Sequence, residues 1–175
     1  MLINLTDVFS SEGSARKISA AYEGSHFSYM GNVYPVSGDS EVLLTLTNAG
    51  PGCALIEGEL KARLTIPCDR CLQDVEIPIT AAFAHQAVSP EGRQEQTGGE
   101  EDQNFISGYE LDVNVLMNNE ILINMPAKVL CGKDCKGICT VCGQNLNEGE
   151  CGCDRFVPDP RMAAIKDIFY ANKEV

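Results

Sequence analysis

Nowhere in these 175 residues do about eighteen apolar side chains run together, so no helix is expected to span a bilayer. The opening segment, MLINLTDVFSSEG, lacks both a basic stretch and a long apolar core, so it does not read as a secretory signal, and a soluble cytoplasmic protein is expected. Basic residues are scarce, 13 against 25 acidic ones, for a formal net charge of -12. A polyanion gains nothing from counterion release at phosphates, so tight binding of naked nucleic acid is disfavoured and a basic partner is mildly favoured. Tryptophan is absent and aromatics make up only 6%. The only histidines are His26 and His85, and neither lies in an H-E-x-x-H or H-x-E context, so both read as ordinary surface or sheet residues. There is no P-loop, no G-x-S-x-G and no G-x-G-x-x-G, and the chain reads as non-enzymatic, with no small-molecule substrate.

Apolar residues make up 44%, enough for one ordinary domain with a core, or for a domain plus a small appendage. From Ile18 to Val88 the pattern is of period-two runs. Val42, Leu44 and Leu46 share one face of a strand that stops in a turn at Asn48, Gly50, Pro51 and Gly52. Ile56, Gly58, Leu60, Ala62, Leu64 and Ile66 then alternate with charged or polar residues, which predicts a long half-buried strand. The segment DVEIPITAAFAHQAV alternates again, with Pro78 restricting it to an edge or a bulge. The two long strands are separated by Cys68 to Cys71 and read as a hairpin with a cysteine turn at its tip.

Residues 89–104 contain no Val, Leu, Ile, Met or aromatic residue, and a disordered acidic loop is expected there. Residues 111–125 fit two patterns: a helix capped by Asp112 and ending before Pro126, or strands turning at Asn118 and Asn119. Near the end, Asp159 as cap, Pro160 at the first helical position, and Met162, Ile165 and Phe169 as a stripe predict a short amphipathic helix. No internal repeat is evident.

The cysteines carry the chemistry. Eight of nine fall in close pairs, Cys68/Cys71, Cys131/Cys135, Cys139/Cys142 and Cys151/Cys153, with Cys53 alone. Thiolates two to four residues apart can face one ion, and two such pairs supply the four soft ligands of tetrahedral zinc. In Cys139-x-x-Cys142-Gly143 the glycine permits the positive-φ turn of a zinc knuckle, and Cys151-x-Cys153 follows after a turn-rich loop. The quartet Cys139, Cys142, Cys151 and Cys153 has the shortest loop closure. Cys68, Cys71, Cys131 and Cys135 would then close a second site joining the hairpin tip to the C-terminal module, for one or two structural Zn2+ ions. Four pairs can combine in three ways, and a single zinc with four spare thiols, iron-sulfur ligation and disulfides are the alternatives. All-thiolate sites are closed, unlike a hydrolytic zinc with an open position, and Cys68-x-x-Cys71 lacks the βαβ context of a dithiol redox motif.

The string CGKDCKGICTVCGQNLNEGECGC, with IPCDRCLQ upstream and Asp159-Pro160-Arg161 leading into the final helix, resembles the YceD-like large ribosomal RNA subunit accumulation proteins, a bacterial family with plastid relatives. The resemblance implies a cytoplasmic ribosome biogenesis factor supporting accumulation of large-subunit (23S) ribosomal RNA. It also implies that 111–124 is the helix. Ribosome assembly components, among them a basic ribosomal protein, are the implied partners. The rival is direct RNA contact through the basic side chains of the zinc region, Lys128, Lys133, Lys136, Arg155 and Arg161; residues 127–166 carry a formal net +1. Each four-thiolate zinc site has a net charge of about -2, however, so metallation makes even this region acidic. A zinc hydrolase or dithiol redox protein is the enzymatic alternative. The expected fold is α+β: mainly antiparallel sheet over residues 1–126, then a Cys-rich module and helix over 127–175, packed as one unit with the first.

Overall fold

The computed structural model describes residues 1–11, 13–91 and 104–153. It divides into two compact units, the first formed by Met1–Pro67 and Asp74–Val129, the second by Cys68–Gln73 and the chain from Leu130 onward. The fold is mainly antiparallel sheet with few helices. Among the described residues no helix is long and apolar enough to cross a membrane.

The first unit is built around a four-stranded antiparallel sheet of β2 (Ala15–Ala21), β5 (Glu41–Gly50), β6 (Cys53–Pro67) and β7 (Asp74–Val88), in the order β2-β5-β6-β7. Its residues alternate because one face is buried: Val42, Leu44 and Leu46 on β5 and Ile56, Leu60, Ala62, Leu64 and Ile66 on β6 all point into the core. β6 and β7 pair without a slip from Cys53 opposite Val88 to Pro67 opposite Asp74. Gly58 is opposite Phe83, where a Cβ would lie 2.3 Å from Phe83 Cζ and 2.9 Å from Leu44 Cδ2, so only glycine leaves room for that ring. Pro78 faces Arg63 from β7, an edge strand, which tolerates its missing donor. The turn expected from Asn48 narrows to Pro51 and Gly52, since β5 runs on to Gly50 through a bulge. The Asn48 side chain accepts from Gly50 N at 2.9 Å and donates to Val8 O at 2.7 Å, tying the short helix α1 (Thr6–Ser10) to the sheet.

A three-stranded sheet, β1 (Leu2–Asn4), β9 (Glu110–Asp112) and β8 (Ile106–Ser107), and a β3–β4 hairpin (His26–Tyr29, Asn32–Pro35) complete the strands. Helix α2 spans Val113–Ile123. Asp112 starts it by accepting from Asn114 N at 3.0 Å and Val115 N at 3.2 Å, satisfying donors that a helix start leaves unpaired. Val113, Leu116, Met117, Glu120 and Ile121 are buried, a helical stripe with one charged member. The helix reading of 111–125 therefore holds, with the helix starting at Val113, one residue after the cap; the strand reading does not, because Val115 and the expected turn at Asn118 and Asn119 lie inside α2, and only the residues up to Asp112 are strand.

At the ends of the acidic segment, Ser89 is buried and its N–H donates to Gly52 O at 2.7 Å. Tyr109 Oη donates to Glu91 Oε2 at 2.7 Å, and Asn119 Nδ2 to Asn104 Oδ1 at 2.7 Å. The hydrogen bond to the Glu91 carboxylate also raises the Tyr109 hydroxyl above its ordinary pKa. The interior of that segment, residues 159–169 where a C-terminal helix is expected, Arg155 and Arg161 lie outside the described residues.

Candidate metal centres

The second unit is assembled around sulfur. The hairpin tip leaves β6 at Pro67 and re-enters β7 at Asp74, and its six residues make a tight turn: Leu72 N donates to Cys68 O at 2.9 Å and Cys68 N to Gln73 O at 2.8 Å. The segment beginning at Cys139 repeats this construction, with Gly143 N donating to Cys139 O at 2.8 Å and Cys139 N to Gln144 O at 2.8 Å. Both turns are C-x-x-C-x-Q in sequence, a duplication too short and too divergent to register as a repeat. The residue after the second cysteine takes a positive φ in each, 77° at Gly143 and 61° at Leu72. Glycine suits that conformation, whereas a leucine there is strained by about 1–2 kcal/mol. The tip is held further by Ile138 N donating to Arg70 O at 3.0 Å and Arg70 Nη1 to Cys135 O at 2.9 Å. Gly137, at φ 79°, is required twice over: a Cβ there would also sit 3.1 Å from Arg70 O.

These turns gather eight thiols into two groups of four, Cys68, Cys71, Cys131, Cys135 and Cys139, Cys142, Cys151, Cys153, with the sulfurs of each group within 4.8 Å of one another. They are the two quartets set out from the spacing, and all nine cysteines are free thiols. Cys68 Sγ lies 3.8 Å from Cys135 Sγ and Cys71 Sγ 3.4 Å from Cys131 Sγ. A tetrahedron with arms of about 2.3 Å has edges of about 3.8 Å, so the spacing suits four thiolates around one zinc-sized ion. A disulfide, at about 2.05 Å, is much shorter. Cys68, Cys71, Cys135 and Cys139 are buried, while Cys131 and Cys142 are exposed. Cys53, in β6, stands apart from both groups.

Backbone N–H groups point at the sulfurs, as a thiolate site requires. Arg70 N and Cys131 N donate to Cys68 Sγ at 3.5 and 3.3 Å, and Val141 N to Cys139 Sγ at 3.4 Å. Asn147 Nδ2 donates to Cys135 Sγ at 3.4 Å. The titration pattern follows from these contacts. N–H groups of Cys142 and Val141, with the Cys151 side chain, bring Cys139 down to about 6. Burial opposes ionisation of Cys68, yet the N–H groups of Cys71, Arg70 and Cys131 together bring it down to about 6. The Asn147 amide likewise lowers Cys135. The sulfurs of Cys135 and Cys71 push Cys131 up to about 12, and those of Cys142 and Cys151 push Cys153 up to about 12. Cys71 is raised as well: the Gln73 N–H favours its thiolate, but burial and the neighbouring Cys68 and Cys135 prevail. Each group thus holds some negative charge readily and resists the last of it, the condition a dication relieves.

Of the candidate basic contacts, Lys128, Lys133 and Lys136 are exposed; the first belongs to the first unit and the other two to the second. Neither histidine joins a sulfur group. His26 Nδ1 is 2.6 Å from Ser25 Oγ, and His85 Nε2 is 2.7 Å from the buried Glu120 carboxylate, a contact that no sequence pattern announced.

The family described as large ribosomal RNA subunit accumulation protein YceD matches residues 56–169, more than half of the chain. Uncharacterised proteins of Mycobacterium bovis and of two strains of Mycobacterium tuberculosis are each 25% identical to it over 114 residues, 65% of this chain and 55% of the relative. The chain thus spans about half the length of the curated relatives it matches. No solved structure matches it. The matched region includes both long strands of the hairpin from Ile56 onward, the cysteine turn at its tip and all four cysteine pairs, and the chain belongs to the YceD family of large ribosomal RNA subunit accumulation proteins.

Proposed function

We propose that this chain is a non-enzymatic ribosome biogenesis factor in the cytoplasm that supports accumulation of 23S ribosomal RNA, with two structural zinc ions bracing its second unit. The family implies the role in large-subunit ribosomal RNA accumulation. The observation that carries the rest is the pair of four-sulfur groups, each a complete tetrahedral ligand set without a histidine or a carboxylate. Four thiolates leave no position for a substrate or an activated water, so the ions act as braces. They also add charge: two such sites take the formal charge from -12 to about -16. The acidic surface favours a basic ribosomal protein over RNA as the direct partner.

Gel shifts with the zinc-loaded chain and 23S ribosomal RNA at moderate salt test this choice. No shift is expected, while a purified basic ribosomal protein should bind with an affinity that falls as salt rises. Tight, salt-sensitive binding to the RNA, lost when Lys133 and Lys136 are replaced by alanine, would instead establish the direct reading, which the exposure of those two lysines favours.

Metal uptake should depend on pH in a definite direction. Cys131 and Cys153, held up to about 12, carry their protons at pH 7, and a bound dication must displace them. Cys71, raised above its ordinary value, gives up a proton at the first group too. Loading each ion should therefore release at least one proton, measurable by pH indicator in weak buffer. Zinc affinity should rise about tenfold or more per pH unit between pH 6 and 8.

A further inference from the structure

We propose that Asn147 couples the two sulfur groups, so that a dication at Cys139, Cys142, Cys151 and Cys153 strengthens binding of a second at Cys68, Cys71, Cys131 and Cys135. The inference rests on the two-zinc reading. Asn147 lies in the loop between the two ligand pairs of one group, yet its side chain serves the other: Nδ2 donates to Cys135 Sγ at 3.4 Å. The neighbours fix the orientation of the amide. Its Oδ1 accepts from Lys136 N at 2.8 Å, so the nitrogen must face the other way, and its second hydrogen goes to Asn145 Oδ1 at 2.9 Å. Both hydrogens of the amide and its oxygen are thus engaged, which holds one proton toward the Cys135 sulfur.

The loop carrying Asn147 is fastened to the three residues, Lys136, Gly137 and Ile138, that separate Cys135 from Cys139. Asn145 bridges to Ile138, and Leu146, the one buried leucine of the described second unit, donates its N–H to Gly137 O at 2.9 Å. An ion at the second group ties Cys142 to Cys151 and closes this loop at both ends. Without it, the loop must be ordered at an entropic cost before Asn147 can reach Cys135. The first ion therefore covers part of the ordering needed for the second. Reciprocity requires that filling either group strengthen the other by the same factor.

Zinc titration of the full chain, followed by native mass spectrometry, tests this. At one equivalent of Zn2+, Asn147→Ala should raise the fraction of one-ion molecules above wild type. Cobalt titration, read by thiolate-to-metal absorbance, should show the overall two-ion constant reduced about tenfold or more. In a Cys142→Ser, Cys151→Ser background the same substitution should cost the remaining group no further affinity. Asn147→Asp keeps the shape but removes the donor; in the otherwise wild-type chain it should reproduce the loss, so the test does not depend on folding of the serine variant. An unchanged one-ion fraction in both Asn147 variants, or a loss that persists undiminished in the serine background, overturns the coupling while leaving two zinc sites in place. Uptake of no thiolate-bound metal by the wild-type chain would overturn the two-zinc reading itself.

Discussion

Replacing Cys68 by serine will lower the metal content of the purified chain from two ions to one, and full chelation of the wild type will unfold the second unit while leaving the first intact. The contrast follows from what each unit buries. The first holds a continuous core that includes Leu5, Leu44, Leu46, Ile56, Leu60, Leu64, Leu111, Leu116 and Ile121, all almost fully buried. Among the described residues of the second, the buried apolar side chains are Cys68, Cys71, Cys135, Cys139 and Leu146. One buried leucine contributes about 1.5–3 kcal/mol, far below the ordering cost of about thirty residues at about 1 kcal/mol or more each. Structural zinc in small modules supplies about 10–16 kcal/mol, the only term large enough to close that gap. Amide hydrogen exchange with mass spectrometry reads both units at once. After chelation, protection should vanish at residues 68–73 and 130–153 and persist across β5, β6 and β7. Protection of the second unit that survives complete metal removal would show that sulfur and hydrogen bonds alone hold it.

Cys68 is chosen because two backbone N–H groups, Arg70 and Cys131, converge on its sulfur, one from each segment that the first group joins. A serine oxygen is shorter and harder than a thiolate and can neither keep those contacts at their length nor complete a soft tetrahedral set. Cys142→Ser, at an exposed ligand of the other group, is the natural companion, and each variant should retain one ion.

The long strands were legible because a half-buried sheet writes its period directly into the chain: Ile56 through Ile66 alternate with residues that face outward, and the buried set is the one the alternation names. The placing of Pro78 on an edge followed from its missing donor alone. The grouping of eight cysteines into two fours was legible for a similar reason, since close cysteine pairs are a local signal. Less local features were not. Residues 111–125 carried two valid patterns, and the switch from strand to helix at Asp112 depends on β9 pairing with Leu2–Asn4, more than a hundred residues away. Helix α1 is too short to show a period. The β3–β4 hairpin turns through Met30 and Gly31 at positive φ, and a methionine at such a position gives no turn signal. Asn147 had the look of an ordinary turn residue because its target, Cys135, lies twelve positions back in a different ligand pair.

His85 shows the same limit with a larger energetic consequence, and His85→Ala should destabilise the first unit by about 3 kcal/mol, measured by urea unfolding of the zinc-loaded chain. Its alternation within β7 marks it only as an inward-facing residue opposite Ile56. What gives it weight arrives from α2: Glu120 is only 4% exposed, and His85 Nε2 at 2.7 Å is the side-chain partner of its carboxylate. The imidazole also packs between two rings, with centroids 5.5 Å from Phe83 and 5.1 Å from Phe105. Alanine would remove both contributions. Leaving a buried carboxylate without its partner costs about 1–3 kcal/mol, and losing the ring contacts about 1 kcal/mol more. The side chain of His85 is a quarter exposed, so some water can reach the orphaned oxygen, which keeps the total below the 3–5 kcal/mol typical of a fully buried pair. Glu120→Gln separates the two terms: the amide can still hydrogen-bond to the imidazole and leaves no charge unpaired, so it should cost about 1 kcal/mol or less. Equal losses in the two variants would mean that the charge on Glu120 itself is what the fold needs. A negligible loss in His85→Ala would mean that solvent satisfies the carboxylate and the pair contributes nothing to stability.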